Sequence, residues 1–245
     1  MSDWLILSAG LAALLGGVVT GFAGFGFGLV FAPVFAILSG SPRQVVFQTM
    51  VLGALVSVVV LADARRAVPQ RAALTIGVAA LIGTPVGLLL LGVLDARTIK
   101  LMIAALAIGV AMLRAARLPL RLPDGLTPLA VAGLIGGVLN GCTGMGGPVP
   151  AMTVALQRRN VHHSRTILLS FNLASFLVAI LVAILSGLAR TAWLTTSLWL
   201  APCVGIGMVI GIRAVKYISA EAFNAFFLML MAASGVLGLL SVLLG

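Results

Sequence analysis

Apolar residues run along this chain in eight long segments divided by short polar stretches: Trp4–Leu38, Val45–Ala62, Ala72–Leu94, Thr98–Leu113, Leu126–Leu156, Thr166–Leu188, Trp193–Ile212 and Ala222–Leu244. A helix needs about 20 apolar residues, at about 1.5 Å each, to cross a hydrocarbon core. Six segments fit one crossing. The first and fifth are too long, at about 35 and 31 residues. Long apolar runs, without the short alternating segments of a barrel, predict an all-α membrane protein.

The two overlong segments share a pattern. "GGVVTGFAGFGFG" spans Gly16–Gly28 and "GGVLNGCTGMGGP" spans Gly136–Pro148. Gly16, Gly17, Val18, Gly21, Gly24 and Gly26 recur 120 residues later as Gly136, Gly137, Val138, Gly141, Gly144 and Gly146. Further on, "IGTPVG" (Ile82–Gly87) resembles "IGMVIG" (Ile206–Gly211) at an offset of 124, and the loops then read "DARTIK" (Asp95–Lys100) and "SAEAFN" (Ser219–Asn224) at that same offset. The chain therefore reads as a first transmembrane repeat over 1–120 and a second over 121–245, joined in one integrated membrane domain. Internal duplication of this kind is common in secondary transporters.

Composition sharpens the class. Of 245 residues, 62% are hydrophobic and 8% charged, far from the roughly 25% charged of a soluble domain. The net charge of +10 sits in loops between apolar runs, where it sets topology, so nucleic acid is not an expected partner. No signal peptide is expected at the N-terminus, where Asp3 stands and a basic region is missing.

If each long segment crossed once, the loop cations would divide seven against eight, which offends the positive-inside rule. If each dips in and returns, one side collects eleven: Arg65, Arg66, Arg71, Arg114, Arg117, Arg121, Arg158, Arg159, Arg165, Arg213 and Lys216. The other keeps Arg43, Arg97, Lys100 and Arg190. The predicted fold is thus two inverted-topology repeats, with six spanning helices plus two re-entrant, broken-helix hairpins. Both termini are expected on the periplasmic face. A mixed or dual topology is the competing reading of the flat count.

A break at bilayer depth must line a cavity or be buried in protein, because lipid satisfies no free N–H or C=O. Glycine allows the positive-φ turns such a break needs, and Pro148 suits the first turn of the following helix. The arms are expected at Trp4–Phe22 and Phe27–Leu38, then Leu126–Cys142 and Pro148–Leu156. Each returning half-helix would start near the midplane, where its N–H groups and partial positive charge form a ready anion site. No Lys or Arg lies deep in a run, so the site is expected to be cationic through backbone dipoles. The plainer alternative is that the glycines only let helices pack closely.

The residues expected to bind substrate are Gly24, Gly26 and Gly28 with Gly144, Gly146 and Gly147, and the polar side chains Thr20, Asn140, Thr143, Gln48 and Asn172. Thr20 and Asn140 hold equivalent repeat positions. Gln48 and Thr49, with Ser170 and Asn172, sit on the helices after each hairpin, and Gln48 and Asn172 are the strongest side-chain candidates. The same residues could equally serve as helix–helix hydrogen bonds. Cys142 reads as a small buried residue. His162 and His163 read as part of a solvated basic loop. Asp3, Asp63, Asp95, Asp124 and Glu221 all fall at run ends, leaving no intramembrane carboxylate for proton or sodium binding. No metal cluster, cofactor motif or catalytic constellation is present.

"GFAGFGFGLVFAP" (Gly21–Pro33) and "GCTGMGGPVPAM" (Gly141–Met152) resemble the sulfite exporter TauE/SafE family of bacterial membrane transporters, over essentially the whole chain. The family pattern is G-x-G-G-G with a following proline in each half. Phe27 replaces a glycine in the first copy, whereas Gly146, Gly147 and Pro148 match in the second. The resemblance implies a multi-pass protein of the bacterial inner membrane that exports small sulfur-containing oxyanions, sulfite or organosulfonates. Its expected partners are a small anionic substrate and the lipid bilayer. A homo-oligomer is compatible with the sequence but not indicated by it. Two other functions stay open: a channel-like anion pore, and an uptake permease for organic carboxylates.

Overall fold

The computed structural model describes residues 3–38, 41–63, 69–116, 121–157 and 161–214, with isolated positions at 217, 229, 232, 233, 236 and 239. Among them are nine helices and no strand: α1 Asp3–Ala23, α2 Phe27–Leu38, α3 Pro42–Asp63, α4 Gln70–Val93, α5 Ala96–Ala115, α6 Thr127–Thr143, α7 Pro148–Leu156, α8 Val161–Leu185 and α9 Thr191–Ala214. Four of them, α3, α4, α8 and α9, are long and apolar enough to cross a membrane. Helix α5 fills the run expected at Thr98–Leu113. The run Ala222–Leu244, the "SAEAFN" segment and Arg65, Arg66, Arg117, Arg158, Arg159 and Lys216 lie largely or wholly outside the described residues.

Both overlong segments break. Helix α1 stops at Ala23 and α2 begins at Phe27; α6 stops at Thr143 and α7 begins at Pro148. Each break reverses the chain. A Cβ built on Gly16 would stand 2.9 Å from the Phe27 ring and 3.4 Å from the Phe27 carbonyl oxygen. Gly16 lies seven residues before the end of α1, about 10 Å along its axis, so the start of α2 has doubled back beside the middle of α1. In the same way a Cβ on Gly136 would meet the Pro150 ring at 2.8 Å and the Gly146 oxygen at 2.9 Å.

Other glycines of the motif have a different task. A Cβ on Gly17 or Gly21 of α1 would overlap the backbone of α9 at Val204 or Met208, and one on Gly207 or Gly211 of α9 would overlap α1 at Leu14 or Val18. Helices α4 and α6 repeat the scheme: Gly83 and Gly87 press on Leu134 and Val138, while Gly137 and Gly141 press on Ala80 and Thr84. Such small-residue faces let backbones approach until Cα–H groups touch carbonyl oxygens. The result is a crossed arrangement. The first hairpin arm packs on a helix from the second half of the chain, and the second hairpin arm packs on a helix from the first.

The core gathers around α2. Phe27, Phe31 and Phe35 stack along one face at i, i+4 spacing, with centroids 5.3 and 5.0 Å apart. They are fully buried with Leu29 of the same helix, Met50 and Leu52 of α3, Ile99 and Ile103 of α5 and Phe171 of α8. Outward positions carry exposed apolar residues such as Leu74, Leu89 and Leu181, which suits a surface that faces lipid.

Candidate functional site: two facing glycine turns

At the first turn Gly24 and Gly26 adopt φ of 79° and 104°; at the second Gly144 adopts 74°. An L side chain in the left-handed region costs roughly 1–2 kcal/mol, so glycine is required by conformation at these three positions. Each turn closes the same way: Gly24 N–H donates to Thr20 O at 2.7 Å, and Gly144 N–H donates to Asn140 O at 2.8 Å.

The turns face one another. A Cβ on Gly28 would overlap the Gly144 carbonyl oxygen, and one on Gly147 would meet the Phe25 ring at 3.3 Å. Beneath both lies Thr49 of α3, whose methyl group is 3.1 Å from the Cβ position of Gly28 and of Gly144. Its hydroxyl donates to Val45 O of its own helix at 2.7 Å.

Side-chain bracing differs sharply. In the second turn Asn140 Oδ1 accepts from Gly146 N–H at 3.2 Å. Asn140 Nδ2 donates to Ser175 Oγ of α8 at 2.7 Å, and Ser175 shares a 2.6 Å bond with Thr84 of α4. Thr143 Oγ1 accepts from Met145 N–H at 3.2 Å while donating to Leu139 O at 2.7 Å. Proline then removes two donors from the start of α7, at Pro148 and Pro150. In the first turn Thr20 donates to Gly16 O at 3.0 Å and contacts no turn amide. The first returning N–H of α2 is that of Val30, to Gly26 O at 3.3 Å. The earlier N–H groups, at Phe27, Gly28 and Leu29, occupy the helix start, where no intrahelical acceptor exists.

Between the turns lies a cavity of about 10 Å³, measured for the centre of a water molecule, room for about one water. The first turn lines it with Gly26 to Leu29, and the second with Gly144, Met145 and Gly147. Side chains close it: Thr20 of α1, Asn140 of α6, Ser57 of α3, and Asn172 and Phe176 of α8. Asn172 is buried, at 5% exposure, and makes no side-chain hydrogen bond among the described residues. Its amide is a donor and acceptor held at the cavity wall. Ser57 donates to Gly53 O of its own helix at 2.8 Å.

Of the residues expected from sequence, Thr20, Gly26, Gly28, Asn140, Gly144, Gly147 and Asn172 line this cavity. Gly24, Gly146 and Thr143 do not line it but shape its turns. Gln48 stands apart. Its Nε2 donates to Trp193 O of α9 at 3.3 Å, and its Oε1 is buried without a partner. One residue along a helix is a rotation of about 100°, so with Thr49 facing the turns, Gln48 faces α9. Sequence reading missed Gly53, Ser57 and Phe176. The signal was the four-residue register from Thr49 to Gly53 to Ser57, and from Asn172 to Phe176, each a single helix face.

Sequence reading also placed Arg165 in a loop. It lies instead in the second turn of α8, with its Nη2 donating to Gly21 O at 2.8 Å. A Cβ on Gly24 would meet the Arg165 Cγ at 2.5 Å. A guanidinium therefore rests on the first turn, where only backbone dipoles were expected. Cys142 is buried with its sulfur 4.0 Å from that of Met102, and His163 is exposed. Among the described residues no group of His, Cys, Asp or Glu has the arrangement of a metal site.

A family model described as sulfite exporter TauE/SafE matches residues 9–237. No curated protein and no solved structure matches the chain.

Proposed function

The chain belongs to the sulfite exporter TauE/SafE family, a family of membrane transporters, and from that premise we propose that it carries a small sulfur oxyanion, sulfite or an organosulfonate, through the cavity between the two glycine turns. The observation that carries this reading is the lining of that cavity. The start of α2 supplies Gly26 to Leu29, and Asn172 adds an uncommitted amide. N–H groups at a helix start, with the helix dipole behind them, stabilise an anion without a buried cation. The Asn172 amide adds neutral N–H donors that favour an oxyanion over a halide.

In this reading the hairpins are re-entrant and the halves are inverted about an axis in the membrane plane. The crossed packing of α1 on α9 and α4 on α6 supports that relation, since each half buries the equivalent glycines of the other. The loop cations favour periplasmic termini in a bacterial inner membrane. A cavity with room for one water must widen before an anion enters. The turns then part, and the rocking of one half against the other exposes the site to each side in sequence. An inside-negative potential drives a monovalent anion outward with about 2.3 kcal/mol per 100 mV.

The test is flux of labelled sulfite and sulfoacetate in liposomes holding the purified protein. Saturable efflux with counterflow is expected of a carrier. Linear flux without counterflow would mean a pore, and full activity after Asn172→Asp would remove the site from this cavity.

A further inference from the structure

We propose that Arg165 is an anion-operated latch on the first glycine turn, a positioning residue that couples arrival of the oxyanion to opening of the cavity. The proposal rests on the export reading above and assigns a regulator to that same site.

The geometry is specific. The Arg165 stem lies across Gly24, a left-handed hinge residue with φ of 79°. Its guanidinium donates to Gly21 O at 2.8 Å, in the last turn of α1, where carbonyls lack intrahelical partners and a cation is favoured by the dipole. One side chain thus holds both the end of α1 and the turn that follows. Arg165 and Asn172 are seven residues apart on α8. That is two turns, about 10 Å, with nearly the same angular position. An anion travelling from the α8 N-terminal end to the cavity passes along the face that carries Arg165.

A guanidinium binds an oxyanion more strongly than a neutral carbonyl, roughly twofold per hydrogen bond. The donor to Gly21 O is Nη2, and an incoming oxyanion that takes the guanidinium fork in bidentate fashion draws Nη2 away from that carbonyl. When it wins, α1 loses its cap and the Gly24 hinge loses its clamp. The differential affinity needed for a ligand to shift a conformational equilibrium is supplied by that exchange of partners. Among the described residues the second turn has no counterpart: its bracing is neutral and runs through Asn140, Ser175 and Thr84. Arg43, near the start of α3, instead caps the end of α4 through Leu91 O and Gly92 O at 3.4 and 2.9 Å, away from both turns.

R165Q keeps an amide donor but loses the charge, R165K keeps the charge, and R43Q is the control. Sulfite flux in liposomes should show a KM raised roughly tenfold in R165Q, the scale of a typical coupling between sites. R165K should change less, and R43Q should leave KM unaltered. In the unmodified protein, sulfite should accelerate hydrogen exchange of the hinge amides around 21–25, ahead of the anion-binding donors, and leave those around 141–147 unchanged. Equal KM in R165Q and the unmodified protein would overturn the latch, as would an equal exchange response at both turns. The exchange comparison needs no substitution, so it decides even if R165Q fails to fold. Absence of saturable flux of either anion in the unmodified protein overturns the export reading, and the latch with it.

Discussion

The two glycine turns begin from the same sequence pattern and end in different mechanical states. The second is held by a connected polar network in which every partner is neutral. Asn140 alone ties Gly146 to α8, and through Ser175 to α4. Among the described residues the first shows no such side-chain network. It leans on one cation from α8 and keeps the opening amides of α2 unspent. Under the proposed function this division has a use: the braced turn would stay fixed, while the turn that holds the donors would move. Pro148 and Pro150 push the same way, because each deletes an N–H from the second half-helix.

The contrast can be strained from both ends. The largest effect is expected from Gly28→Leu, since even a Cβ there overlaps the Gly144 oxygen. It should reduce liposome flux by more than about 100-fold, whereas a leucine at Gly92, with open space around it, should not. Next, Asn172→Asp places a negative charge where the guest is to sit, and should weaken sulfite protection in a thermal-shift assay by at least roughly tenfold in apparent Kd, a loss of about 1.4 kcal/mol. Asn172→Ala should leave the unliganded melting temperature unchanged, because no internal bond is lost.

Asn140→Leu strikes the fixed wall. It strands Gly146 N–H, and Ser175 loses a donor, so stability should fall by about 1–3 kcal/mol in reversible unfolding. The decisive companion is a pair of threonine substitutions. Thr143→Val should cost more than Thr20→Val, because only Thr143 accepts from a turn amide. Equal losses would erase the distinction between the turns.

The smallest effect concerns neither turn and serves as a baseline. Asp95 caps α5 by accepting from Thr98 N–H at 3.1 Å and from the Thr98 hydroxyl at 2.6 Å. These bonds hold its carboxyl below the usual carboxylate range. A lowered folded-state value stabilises the protein above the unfolded value and is lost as pH falls through the folded one. Melting curves should show a slight decline in strongly acid buffer that Asp95→Asn removes.

Much of this architecture was legible in the chain. Helix breaks at Ala23–Phe27 and Thr143–Pro148 follow from segment length and glycine density, and the arms were placed within a residue or two of where they fall. What sequence could not assign was the labour among glycines. Gly17, Gly21, Gly137 and Gly141 serve helix contact, while Gly24, Gly26 and Gly144 serve the turn, and only backbone angles and neighbours separate the two. Close packing and turn formation thus fall to different glycines of one motif. Gln48 falls outside the cavity lining, because polarity carries no information about rotation around the helix axis until a neighbour such as Thr49 is anchored. Arg165 was missed because a cation at the edge of an apolar run looks like loop, and here α8 starts earlier, at Val161.

The crossed pairing of α1 with α9 has a consequence for biogenesis. At a synthesis rate of about 5–20 residues per second, α9 leaves the ribosome roughly ten to forty seconds after α1. For that interval the first hairpin waits with its glycine face uncovered for a mate that lies in the second half of the duplicated sequence. A nascent chain halted before Thr191 would therefore present quality-control proteases with an unsealed arm, and two separately expressed halves would mature only in each other's company.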